Sequence, residues 1–327
     1  MYIFPQNRSR RLRKNNSIRS LVQENHLSVD DLIHPIFLLE GNKTVQPIES
    51  MPGVNRYTLD EALKEIQQIN ELGIKAIALF PVVENTKKNP SATEALNPDN
   101  LMHRALREIK QRFPEILLIS DVALDPYTDH GHDGLCDEKG NILNDETVEV
   151  LCKMALLQAQ AGADIVAPSD MMDGRITKIR GVLEKNNLKN TLIMSYSAKF
   201  ASSLYGPFRE ALSSSLSFGD KKTYQLNPAN TKEALKKIIS DTHEGADLLI
   251  VKPGTLYLDI ISEAAKNTLL PIVAYCVSGE YSMIKAASLN GWIDERTVVL
   301  ETMLSFKRAG ASAIITYHAK EIANWLR

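Results

Sequence analysis

The sequence predicts an α/β protein in which eight parallel strands, each followed by helical sequence, close into one (β/α)8 barrel. Three observations lead there. Eight short apolar runs rich in Ile, Val and Leu recur along the chain, stretches of helical periodicity alternate with them, and closely similar glycine-containing lead-ins precede three of the runs. Continuous apolar runs of this length suit strands buried on both faces, as a parallel sheet requires. Eight strand-then-helix units in one chain favour closure over an open doubly wound sheet.

In order, the runs cover 32–39, 75–83, 116–124, 163–169, 191–198, 246–252, 270–277 and 311–317. Between the first two, Leu59, Ala62, Leu63, Ile66, Ile69 and Leu72 share one stripe, as on a helix laid against a sheet. Residues 146–161 repeat the pattern. The lead-ins are Ala-Gly-Ala-Asp at 161–164, Glu-Gly-Ala-Asp at 244–247 and Ala-Gly-Ala-Ser at 309–312. In each, glycine ends a helix and a strand follows almost at once. Two connections are longer than the rest, 125–145 after the third run and 200–230 after the fifth. Both follow the C-terminal ends of strands, where barrel active sites are built and where long loops commonly act as lids. The expected organisation is a barrel domain over 31–327 with a lid at 200–230, preceded by an arm over 1–30.

A length of 327 residues suits either two ordinary domains or one barrel. With 44% hydrophobic and 24% charged residues, the composition is that of a globular protein with material for one large core. A net charge of -2 supplies no overall field to attract nucleic acid or an anionic membrane. No apolar run approaches the ~18 residues that cross a bilayer. Cys136, Cys152 and Cys276 are too scattered for a disulfide framework and form no Cys-x-x-Cys pair, which fits a reducing cytoplasm. Arg8, Arg10, Arg11, Arg13, Lys14 and Arg19 all precede the first acidic residue, Glu24. The favoured reading is an arm that docks on a neighbouring subunit. A solvated basic tail, a targeting peptide and a nucleic-acid patch are the alternatives. A targeting leader would be longer, amphipathic and Ser-rich.

The C-terminal ends of the runs carry a polar set: Asp121, Ser169, Asp170, Lys199, Lys252, Ser278 and Tyr317. A lysine there points into the barrel mouth, where apolar surroundings and a second cation both disfavour the ammonium form. The neutral amine can then attack a carbonyl. Lys199 and Lys252 end consecutive runs, so closure sets them side by side, and each is expected to lower the other's pKa. The plainer reading, a lysine that reaches solvent or pairs with Asp121, suits one such lysine better than two. The 200–230 loop carries Arg209, Lys221 and Lys222 among Tyr205, Phe208 and Tyr224. Cations on an aromatic flap suit capture of a carboxylate and exclusion of water, although ordinary surface charge accounts for them equally well. Ser278 and Tyr317 are hydroxyls suited to a second carboxylate or, equally, satisfied core groups.

These residues lie in six segments that resemble porphobilinogen synthase, the delta-aminolevulinic acid dehydratase family. The segments are Asp-Val-Ala-Leu-Asp-Pro-Tyr-Thr-Asp-His-Gly-His-Asp-Gly at 121–134, Pro-Ser-Asp-Met-Met-Asp-Gly-Arg at 168–175 and Ser-Tyr-Ser-Ala-Lys-Phe-Ala-Ser-Ser-Leu-Tyr-Gly-Pro-Phe-Arg at 195–209. Gly-Asp-Lys-Lys-Thr-Tyr-Gln at 219–225, Val-Lys-Pro-Gly at 251–254 and Val-Ser-Gly-Glu-Tyr at 277–281 complete them. The resemblance spans essentially the whole chain. It implies a TIM barrel that joins two molecules of 5-aminolevulinate into a pyrrole, an early step of tetrapyrrole and heme synthesis. Lys252 would hold the propionate-side substrate as an imine and Lys199 the acetate-side one. Arg209 and Lys221, with Gln225 close by, would grip one carboxylate, and Ser278 and Tyr317 the other. Asp121 and Ser169 would lie near the free amino group, and Tyr205 and Phe208 would line the substrate site. Homo-octamers built through the N-terminal arm are also implied.

The chain departs from the zinc-dependent pattern. Where those members carry three cysteines, it has Ala123, Asp125 and Asp133. Carboxylates favour Mg2+ over Zn2+, so no catalytic zinc is expected, no cofactor is required, and Asp125 with Asp133 leaves Mg2+ open. Cys136 with His130 and His132 is a weaker zinc alternative. Lys237 stands where many zinc-free relatives place a glutamate that binds a second Mg2+, and an ammonium cannot take that role. Two other functions compete: an imine-forming aldolase barrel, which needs one lysine and a phosphate loop such as 277–280, and an RNA-binding protein using the basic arm.

Overall fold

A computed structural model of the chain describes residues 3–214 and 216–327; Ser215, within the expected lid, lies outside them. β1 (Leu32–Leu39) leads into a hairpin of β2 (Val45–Pro47) and β3 (Asn55–Thr58). Then come β4 (Ala76–Pro81), β5 (Leu117–Val122), β6 (Ile165–Pro168), β7 (Leu192–Lys199), β8 (Leu248–Lys252), β9 (Ile272–Cys276) and β10 (Ala313–Thr316). β4 to β10 pair in sequence order, and β1 pairs in parallel with both β4 and β10, which closes an eight-stranded parallel barrel. The expected (β/α)8 fold is the one observed. The β2–β3 hairpin is an addition: its strands are short and partly exposed, so they leave no apolar run to read. It attaches by β3 to the end of β1, from Phe37↔Arg56 to Leu39↔Thr58.

Helices α1 (Asn16–Leu21), α2 (Leu59–Glu71), α3 (Leu101–Arg112), α4 (Asn144–Ala161), α5 (Arg175–Lys185) and α6 (Gly206–Ala211) come first. They are followed by α7 (Thr231–His243), α8 (Leu258–Asn267), α9 (Ser278–Leu289), α10 (Glu295–Ala309) and α11 (Ala319–Leu326). α2 buries Ala62, Leu63, Ile66 and Ile69, the stripe read from its sequence. Gly162 and Gly310 end α4 and α10 at φ 114° and 111°, left-handed backbone that a side chain would strain. Each turns the chain straight into the next strand.

Alternate strand residues enter two cores, as the two-residue period of a strand dictates. Phe37, Phe80, Ile119, Met194, Ile250, Val273 and Ile315 fill the barrel. Leu38, Leu79, Leu118, Ile193, Leu249, Ile272 and Ile314 pack outward against the helices. No residue from 3 to 31 is buried in the isolated chain. Among the described residues, no helix is long and apolar enough to cross a membrane.

Candidate active site

The two lysines stand side by side at the mouth because of one irregularity. Met194 and Ser195 of β7 pair with Leu248 and Leu249 of β8, but Ala198 and Lys199 pair with Val251 and Lys252, so β7 carries one extra residue between Ser195 and Ala198. Met194 and Tyr196 face the barrel interior, and Ala198 faces the helices. An unbroken two-residue period would reverse Ala198 and Lys199. The bulge therefore turns Lys199 inward, level with Lys252.

Their surroundings differ. Lys199 Nζ is 3.1 Å from Asp133 Oδ2 and also donates to the Ser169 carbonyl. Lys252 Nζ makes no ion pair among the described residues. It lies over the rings of Tyr275, Phe208, Tyr196 and Tyr205, 4.5 to 5.3 Å from their centroids. Burial, followed by the charge of Lys199, lowers its pKa to about 7. Asp121 moves the other way: burial and the nearby Asp125 raise its carboxyl to about 7, against a hydrogen bond from Ser169. Burial would also raise Asp133, but Lys199 and Lys221 outweigh it and bring this carboxyl down to about 2. The mouth thus combines an amine and a carboxyl that both titrate near neutrality with a carboxylate that stays charged.

The segment after β7 lies over the mouth. Lys221 reaches in from it to Asp133 Oδ1 at 2.5 Å and Asp125 Oδ2 at 3.2 Å. Phe208 packs on Phe37 and Phe80 above Lys252. Tyr205 donates to the Lys252 carbonyl at 3.1 Å. Ser278 accepts from the Phe208 N–H at 3.0 Å and donates to the Leu204 carbonyl at 3.3 Å, so its hydroxyl ties α9 to this segment. A Cβ on Gly279 would stand 2.6 Å from the Leu204 carbonyl, so only glycine permits the approach. Arg56 of β3 caps the far end of α6, donating to the Ala211 and Glu210 carbonyls at 2.6 and 2.5 Å.

Asp121, Ser169, Lys199, Lys252, Tyr205, Gln225, Ser278 and Tyr317 are all buried around the mouth. Tyr317 shares a hydrogen bond of 3.2 Å with Tyr275. Arg209 is exposed on α6, beside Asp125 and Lys221 at a cavity of about 10 Å³, room for about one water. Lys222 stays outside, paired with Asp220. The carboxylate partner of Lys199 is Asp133, not Asp121, because Asp133 returns over the mouth from the loop after β5. Tyr196, Tyr275 and Glu280 escaped the sequence reading. The first two sit in strand runs, where an interior ring at the mouth reads like any core aromatic. Glu280 accepts from the Val277 and Thr255 N–H groups at 2.7 and 2.6 Å, joining the loops that follow β8 and β9. Its carboxylate already occupies the α9 N-terminus, which disfavours a phosphate there.

The metal positions do not fit zinc. Ala123 offers no donor, and Asp133 gives both oxygens and Asp125 one to ammonium groups. His132 uses both ring nitrogens, on the Tyr224 hydroxyl and the Phe218 carbonyl at 3.1 Å each. Lys237 pairs with Asp241 at 2.8 Å.

Comparison with known proteins agrees with this fold. The family model for delta-aminolevulinic acid dehydratase matches residues 6–325. The dehydratase of Bradyrhizobium diazoefficiens is 50% identical over 98% of this chain and 91% of its own, and that of Bacillus subtilis 49% over 98% of both. The crystal structure of the Toxoplasma gondii ME49 enzyme in complex with its reaction product porphobilinogen superposes with a TM-score of 0.97 at 50% identity, covering 99% of this chain and 92% of that one. The chain belongs to the delta-aminolevulinic acid dehydratase family.

Proposed function

We propose that the chain condenses two molecules of 5-aminolevulinate into porphobilinogen through imines on Lys252 and Lys199. One observation carries the reading: two buried lysines in register at the mouth, one of them without a carboxylate partner among the described residues and with its pKa near 7. Each amine attacks a substrate ketone and expels one water as the imine forms. Both lysines leave as free amines when the ring closes, so two waters are lost in all. Lys252 takes the propionate-side substrate and Lys199 the acetate-side one. Asp121, poised near neutrality, moves protons beside the substrate amine, with Ser169 next to it. Arg209, Lys221 and Gln225 receive one carboxylate, and Tyr317 and Ser278 the other, Ser278 sharing its hydroxyl with the lid. Tyr205 and Phe208 keep water from the imines.

The mouth works without zinc, since Lys199 and Lys221 hold the carboxylates a cation would need; Mg2+ at Asp125 and Asp133 would have to displace Lys221. Residues 1–30 form an arm for subunit contacts in a homo-octamer, 31–327 the catalytic barrel, and 200–230 its lid. The protein works in the cytoplasm and engages neither nucleic acid nor a membrane. The test is pyrrole formation from 5-aminolevulinate, read by Ehrlich colour, before and after exhaustive chelation. Activity that survives chelation and vanishes in Lys252→Ala is expected. Near-normal turnover by that variant sinks the lysine assignment, and loss restored by Mg2+ alone sinks the metal-free reading.

A further inference from the structure

We infer that Arg175 and Ser195 are positioning residues for Lys199: together they hold the bulge of β7 that turns its amine into the mouth. The inference rests on the two-imine reading above. β6 pairs with β7 only through Leu192 and Ile193, so the irregular stretch beyond them lacks a strand ladder on that side. Arg175, fully buried at the start of α5, fills the gap. Its Nη2 donates to Ser195 Oγ at 3.2 Å and to the Tyr196 carbonyl at 3.3 Å, both within the bulge. Its Nη1 donates to the Met172 carbonyl at 3.3 Å.

Two buried carboxylates hold the guanidinium, Asp170 Oδ2 at 3.3 Å from Nε and Asp241 Oδ1 at 3.5 Å from Nη1. Ser195 Oγ in turn donates to Asp241 Oδ2 at 2.6 Å, and Lys237 pairs with the other oxygen of that carboxylate. Asp170 directly follows Ser169, whose carbonyl accepts from Lys199. One side chain thereby fixes both the backbone that aims Lys199 and the strand end that receives its amine. Buried ion networks of this kind add little net stability, so geometry is the better account of this one. Without the clamp, the extra residue is free to shift along β7, which misplaces Lys199. Lys252, on a strand that the bulge leaves regular, keeps its place, although it loses a neighbouring charge that lowers its pKa.

The test is borohydride trapping of 5-aminolevulinate at about pH 10, where Lys252 is mostly neutral with or without Lys199 beside it, on wild type, Ser195→Ala, Ser195→Thr and Arg175→Lys, with each lysine's adduct measured by peptide mass spectrometry. Ser195→Ala should lower the Lys199 adduct about tenfold or more while the Lys252 adduct stays within about twofold, a loss in line with an ångström-scale misplacement. Arg175→Lys should do the same, and Ser195→Thr, which keeps the hydroxyl, should restore the ratio. The Lys252 adduct is the internal control for folding. Adducts that fall together in Ser195→Ala, or a ratio that does not change, overturn the inference while leaving the two-imine reading intact. A wild type labelled at neither lysine overturns both.

Discussion

Removing one lysine should change the acidity of the other by a calculable amount. Lys252 is lowered from 10.5 to about 7, first by burial and then by Lys199. Cross-strand neighbours lie ~5 Å apart, and two unit charges at that distance repel by about 3 kcal/mol at an effective dielectric of about 20. Asp133, 3.1 Å from Lys199, attracts Lys252 equally with and without that neighbour, so the whole repulsion, about two pKa units, is lost with Lys199. Lys199→Met should therefore raise the Lys252 pKa to roughly 9 and cut its neutral fraction at pH 7 from about half to about a hundredth. The assay is the initial rate of borohydride trapping at Lys252 with 5-aminolevulinate across neutral and mildly alkaline pH. Wild type should show a midpoint near 7 and the variant one about two units higher. A midpoint that stays in place or falls would refute the view that Lys199 tunes its neighbour.

The same shift has a consequence for stability. A lysine with a folded pKa near 7 and an unfolded one near 10.5 is penalised in the fold below pH 7, and the penalty fades as pH rises to 10.5. Lys252→Met should thus stabilise the inactive protein by up to roughly 4 kcal/mol at pH 7 and by little at alkaline pH, which urea midpoints at the two pH values will show. Asp133→Asn removes the countercharge of Lys199 and Lys221, and kcat for pyrrole formation should fall about a hundredfold, as for a displaced catalytic group; a loss below threefold would mean the pair is incidental. Glu280→Gln can accept only one of its two backbone hydrogen bonds, and should lower stability by about 1–3 kcal/mol, measured by urea denaturation.

What could be read from the sequence was what repeats. The barrel announced itself because strands buried on both faces leave continuous apolar runs, and because Gly162, Gly245 and Gly310 must end helices in left-handed backbone. The β2–β3 hairpin left no such trace, yet it carries Arg56, which caps α6. Lys199 and Lys252 were legible as strand-end lysines, but nothing in Ser195–Ala198 signals the extra residue that makes them face the same way. The partnership of Asp133 with Lys199 was hidden for a different reason. It joins residues 66 positions apart through a loop that folds back over the barrel, and spacing along the chain holds no record of such a return.

The charges at the mouth also separate the roles of the two lysines. Lys199 and Lys221 share Asp133, so each ammonium is balanced where it stands. Lys252 lies over aromatic rings and makes no ion pair among the described residues; the rings stabilise a cation less than a carboxylate does and leave the neutral amine accessible near pH 7. The uncharged nucleophile is therefore already present at Lys252 in the empty site, whereas Lys199 must first give up its bond to Asp133.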